Sequence, residues 1–193
     1  MRVLEKKNPI YAAGILYTVN ALIVVLSAWV EGLHSFELGL TISRYVGLRQ
    51  WTAVMYIVVA AVMTTLALIY LKKSEMITPK KFLYVLAFVC IFGCAVCPHN
   101  RTWSEVLSDI HNVFAYSLIL IALISFVWMA VKPFNIKQRV YSIVAICYAV
   151  FFIITYVVID WAFIVNTIFI WENAFIYIFI GELLIEYRGS KAQ

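Results

Sequence analysis

Six stretches of this chain are apolar for long enough to cross a membrane, and short polar segments separate them. They run Ile10–Leu33, Gln50–Leu71, Lys81–Cys97, Glu105–Val131, Val140–Trp161 and Val165–Tyr187. About 20 helical residues, each rising about 1.5 Å, cover the ~30 Å of bilayer hydrocarbon. In lipid every backbone polar group must be satisfied internally, so each stretch predicts one transmembrane helix. The fold class expected is all-α: a polytopic membrane protein, a six-transmembrane-helix bundle forming a single transmembrane domain over residues 1–193. What lies between the stretches is too short to hide a soluble domain. No internal repeat or low-complexity tract appears.

Composition agrees with the pattern. Of 193 residues, 65% are hydrophobic and 13% charged, where a soluble domain is about half apolar and about a quarter charged. The first apolar run follows Arg2, Lys6 and Lys7 and lacks a small-residue cleavage site, so no cleavable signal is expected.

Charge sets the expected orientation. Of 15 Lys and Arg residues, all but Arg44, Arg49 and Arg101 fall at the termini or in the second and fourth loops. Cytoplasmic loops collect Lys and Arg, which predicts both termini inside and the odd-numbered loops outside. The cell membrane, and a bacterial plasma membrane in particular, is the expected location. The net charge of +5 is thereby a topology signal, and it gives no reason to expect a nucleic-acid partner. Membrane lipids are the expected partners.

The polar residues concentrate at the expected outer side. Glu31, Glu37, Glu105, Asp109 and Asp160 lie there, with Glu172 somewhat deeper. Trp29, Trp51, Trp103, Trp161 and Trp171 gather at the same level, as interfacial tryptophans do. The densest run is Cys97-Pro98-His99-Asn100-Arg101-Thr102-Trp103-Ser104-Glu105, leading into Asp109, His111 and Asn112. Pro98 ends the third helix, having no N–H to give. Ser104 or Thr102 is placed to cap the fourth, Thr102 with Glu105 as a capping box.

His111 and Asn112 lie about 10 Å into the fourth helix, and Glu172 and Asn173 at a similar depth in the sixth. Polar groups at this depth are costly and turn toward the bundle interior. His111 and Glu172 are therefore expected to face one another, with Asp109 and Asp160 above them. Two readings follow: a hydrogen-bonded pair that fastens helices, or a base with an orienting carboxylate. His111, Glu172 and Asp109 are the candidate catalytic residues. Arg44, Arg101, His99, Asn112, Asp160 and Asn173 are the candidate substrate-binding residues, the two arginines as an anion clamp or as headgroup anchors.

His34, His99, His111, Asp109, Asp160 and Glu172 could supply metal donors, but no H-x-x-x-H or H-E-x-x-H spacing is present and no metal site is assigned. The cofactor is unknown. No serine-nucleophile elbow occurs. Cys94-Ala-Val-Cys97 has the spacing of a thiol redox centre, without a second cysteine pair to relay electrons. Residues Leu38–Arg49 are expected to lie flat as an amphipathic cap over the outer opening. Asn20, mid-membrane, is expected to hydrogen-bond a neighbouring helix.

Gly93-x-x-x-Cys97-Pro98, followed by a short polar loop and His111-Asn112-x-x-Ala115, resembles the domain of unknown function 998 family of six-helix prokaryotic membrane proteins. The layout is more distantly similar to DRAM-type membrane proteins. The similar pattern runs from Gly93 to Ala115, and helix count and length agree over the whole chain. Cys97 stands where that family has an aromatic residue. The resemblance implies a six-helix bundle with polar residues at the outer ends of helices three and four, and no reaction.

Three functions fit. One is an outward-facing polar pocket that binds a lipid or small molecule. Another is a membrane-embedded hydrolase or transferase acting on a lipid-linked substrate through a His/carboxylate site. The third is a transporter's substrate-binding subunit, against which the scarcity of small residues and of Gly- or Pro-broken helices weighs.

Overall fold

The computed structural model describes residues 2–30, 40–74, 76–97, 99–100, 103–133 and 135–189. All regular structure among them is helical. The elements are α1 (Arg2–Val30), α2 (Ile42–Val46), α3 (Gln50–Lys73), α4 (Thr78–Val96), α5 (Glu105–Val131), α6 (Ile136–Ile153), α7 (Ala162–Asn166) and α8 (Ile168–Gly189). Six of these are long and apolar enough to span a membrane: α1 from Pro9, α3, α4, α5, α6 with its continuation, and α8.

The six long helices form a closed ring. Each of α1, α3, α4, α5 and α6 packs on the next, and α8 closes the circle between α6 and α1. Small residues permit the closest approaches. A Cβ on Gly93 of α4 would lie 2.6 Å from the Phe114 ring of α5. The apolar core runs down the middle through Phe88, Leu118, Phe126, Phe175, Phe179 and Leu183. Aliphatic side chains such as Ile15, Val58, Val113, Leu120 and Val144 point outward and are exposed. A lipid-facing surface has that character.

Most element boundaries follow the apolar pattern. α5 spans the expected residues, and Ser104 caps it by accepting from the Leu107 amide at 3.3 Å. The last two spans differ. The fifth leaves α-helix at Ile153 and continues as a π-helical turn, Ile154–Val158. Asp160 follows with φ +53°. Val165 belongs to the separate short helix α7, so the sixth span starts at Ile168 rather than Val165. The break needs neither Gly nor Pro. At the turn Thr155 Oγ1 donates to Phe151 O at 2.7 Å.

The two ends of the ring differ in character. Trp29, Trp51, Trp103 and Trp161 are all exposed at the end that carries α2. Lys72, Lys73, Lys81, Lys132, Lys137 and Arg139 sit at the opposite end. Near that basic end lies a buried polar group: Glu182 is fully enclosed and accepts from Ser125 Oγ at 2.7 Å.

Candidate functional site

A cavity of about 310 Å³ lies inside the ring, and every spanning helix lines part of it. Its deep part is apolar, walled by Met63, Phe88, Leu118, Phe175 and Phe179. Its upper part, toward α2, is polar: Arg44, Tyr56, His99, His111, Asn112, Tyr156 and Glu172 border it.

Glu172 is one turn into α8. Its Oε2 accepts from the main-chain amide of Ile42 at 2.8 Å. Ile42 is the first residue of α2, whose amides have no partner within the helix. Thr41 caps the same helix by accepting from Arg44 N at 3.2 Å. Of the expected cap Leu38–Arg49, residues 38 and 39 lie outside the described residues, and Ile42–Val46 is a short helix fastened to α8. Ile42, Tyr45 and Val46 are buried beneath it, and Arg44 is exposed. Two further bonds fix its other end: Thr52 Oγ1 donates to Val46 O at 2.8 Å, and Asn100 Nδ2 to Gly47 O at 2.6 Å. Gly47 eases that approach, because a Cβ there would meet Asn100 Cβ at 3.1 Å and His99 O at 3.3 Å.

His111, 6% exposed, lies about 9 Å into α5. Its Nδ1 lies 3.0 Å from Cys94 O and 2.7 Å from Cys97 O. In an unbroken helix the carbonyl of Cys94 would accept from residue 98, but residue 98 is proline and has no N–H. His111 supplies the missing donor. Carbonyl oxygens only accept, so Nδ1 carries the hydrogen, and the neutral ring presents Nε2 as an acceptor. The orienting groups are these two carbonyls. No hydrogen bond or ion pair joins His111 to Glu172 among the described residues, although both line the cavity.

The other sequence candidates divide. Arg44, His99 and Asn112 border the cavity, and the His99 and His111 rings lie 5.5 Å apart. Asp109 and Asp160 are exposed and do not line it. Asn173 does not line it either. Its Oδ1 accepts from Tyr17 at 2.7 Å and its Nδ2 donates to Phe169 O at 2.7 Å, which joins α8 to α1. Arg101, Glu31, Glu37, His34, Pro98 and Thr102 lie outside the described residues. Cys94 borders the cavity, and Cys90, Cys94, Cys97 and Cys147 are free thiols. Among the described residues, no three His, Cys, Asp or Glu side chains converge on a metal-sized point. Both polar atoms of Asn20 are buried without a hydrogen bond among the described residues, contrary to the expected interhelical bond.

Three tyrosines escaped the sequence reading. Tyr56 of α3, Tyr116 of α5 and Tyr156 of the π-helical turn border the polar end. Counting depth from each helix end would have found Tyr56, which sits at the level of His111, about 9 Å into its helix. Nothing in the sequence marks the π-helical turn that places Tyr156. None of these hydroxyls bonds to a described residue, and neither do the Asn112 amide, His111 Nε2 and Glu172 Oε1.

Comparison with protein-family models, with curated proteins and with solved structures finds no match for this chain.

Proposed function

We propose that this is a multi-pass membrane protein that binds an amphipathic lipid or small molecule inside the helix ring, with the apolar part in the shaft and the polar part toward α2. The observation that carries this reading is the polar end of the cavity. Tyr56, Asn112, His111, Tyr156 and Glu172 border one space, and the two tyrosine hydroxyls, the Asn112 amide, His111 Nε2 and Glu172 Oε1 have no protein partner among the described residues. These groups open onto the cavity, where the polar end of a bound molecule can meet them. An apolar shaft beneath a few convergent polar groups is the usual build of a small-molecule site. The proposed orientation puts both termini in the cytoplasm and the polar end toward the outer leaflet, supported by the segregation of Lys and Arg to the opposite end.

A second reading, hydrolysis or transfer on a lipid-linked substrate, is supported by one feature. His111 is held in a single tautomer with its basic nitrogen on the cavity, as a general base requires.

Purifying the full chain in detergent and weighing what stays bound tests the main reading. One amphiphile per chain is expected in the wild type. Ala115→Trp, which fills the cavity one turn below His111, should abolish it. An equal load in Ala115→Trp would refute binding inside the ring.

A further inference from the structure

The shape of the cavity and the polarity of its upper end together specify a ligand class, given that the cavity binds an amphiphile as proposed above. α8 lines it from Ile168 to Ile180, a length of about 18 Å at ~1.5 Å per residue. About 310 Å³ is near the small end of the ~300–1,000 Å³ usual for ligand pockets, here drawn out along the bundle axis. Spread over that length, about 310 Å³ suits one extended hydrocarbon chain better than two side by side.

The upper end sets the head. His111 Nδ1 is committed to the carbonyls of Cys94 and Cys97, at 3.0 and 2.7 Å, so Nε2 of the neutral ring is an acceptor. Glu172 commits Oε2 to Ile42 and leaves Oε1, which accepts when the carboxylate is ionised. The hydroxyls of Tyr56 and Tyr156 rotate to suit either role. With His111 Nε2 fixed as an acceptor and Glu172 ionised, the pair favours a head that donates and disfavours an anion, whose lone pairs would meet theirs. Arg44, the cation bordering the cavity, is exposed at the mouth.

We propose that the cavity takes a single-chain lipid with an uncharged, hydroxyl-bearing head of the monoacylglycerol class, its hydroxyls donating to His111 Nε2 and Glu172 Oε1.

Native mass spectrometry of the full chain with three probes tests this: monomyristoylglycerol, tetradecyl sulfate and dimyristoylglycerol. The wild type should hold one monomyristoylglycerol. It should hold tetradecyl sulfate about tenfold more weakly, the factor that one lost hydrogen bond gives. Dimyristoylglycerol should show no cavity-dependent binding. His111→Phe should erase the preference for the glycerol head. If that variant does not fold, ring ¹⁵N NMR of the wild type gives the same answer, because the Nε2 signal of His111 should move when monomyristoylglycerol is added. Tetradecyl sulfate bound as tightly as the glycerol lipid, dimyristoylglycerol bound in the cavity, or an unmoved Nε2 signal would each overturn the proposal and leave amphiphile binding standing. Binding of all three probes that is indifferent to both Ala115→Trp and Ile176→Trp would remove amphiphile binding as well.

Discussion

Glu172 of α8 accepts a hydrogen bond at 2.8 Å from the main-chain amide of Ile42, at the start of α2. One carboxylate, on a residue that borders the cavity, thereby fastens the short helix, and its second oxygen bonds to no described residue. Glu172→Gln keeps an acceptor for the amide, and Glu172→Ala leaves it orphaned. Orphaning a buried donor costs about 1–3 kcal/mol. Hydrogen exchange at Ile42–Val46 should accelerate in Glu172→Ala and stay near wild type in Glu172→Gln. Unchanged exchange in Glu172→Ala would show that the bond does not hold α2 in place.

His111 should exist as the Nδ1–H tautomer whenever its ring is neutral, because both neighbours of Nδ1 are carbonyls. The ¹⁵N shifts of the two ring nitrogens report this directly. A protonated Nε2 beside a bare Nδ1 would contradict the packing of α4 on α5 described above.

Tyr17 and Asn173 form an α1–α8 bond at 2.7 Å; Tyr17 also lines the cavity and Asn173 does not. Tyr17→Phe and Asn173→Ala should each cost roughly 0.5–2 kcal/mol in detergent, the range of interhelical hydrogen bonds. The double variant should cost less than the sum, since both remove the same bond. Strict additivity would deny the bond. Asn173→Ala should leave amphiphile binding unchanged.

Gly93→Ala should destabilise the bundle by about 1–3 kcal/mol, because the new methyl group meets the Phe114 ring at 2.6 Å. Phe114→Leu should recover part of the loss, read as thermal midpoints in detergent. A Gly93→Ala chain as stable as wild type would show that α4 and α5 can part without cost.

Asp109→Asn and Asp160→Asn should bind the amphiphile as wild type does, since both carboxylates are exposed and off the cavity. A tenfold loss of affinity in either would place a ligand outside the ring.

Helix number and most boundaries could be read from the sequence because lipid imposes one demand on every span, namely long apolar runs with internal hydrogen bonds. Glu105–Val131 shows this, coinciding with α5. The π-helical turn and the start of α8 at Ile168 were not legible, because neither Gly nor Pro falls between Ile153 and Ile168 to mark the break. The depth of His111 and Glu172 was legible from residue counting. Their partners were not, since those are main-chain groups: the carbonyls of Cys94 and Cys97, and the amide of Ile42. Side-chain chemistry shows in a sequence, whereas a carbonyl orphaned by a proline shows only once the helices are placed. Asn173 lies at the same depth but off the cavity, bonded to Tyr17, because depth cannot tell the ring's interior from a helix seam.

The central claim is that an acyl chain enters the ring rather than coating it. The most direct test is photo-crosslinking of the reconstituted chain with a monoacylglycerol bearing a diazirine near the end of its chain. Labels on the inward-facing Leu118, Phe175 and Phe179, lost in Ala115→Trp, are the expected result. Labels confined to the outward-facing Val113, Leu120 and Ile124, and unchanged in that variant, would contradict it.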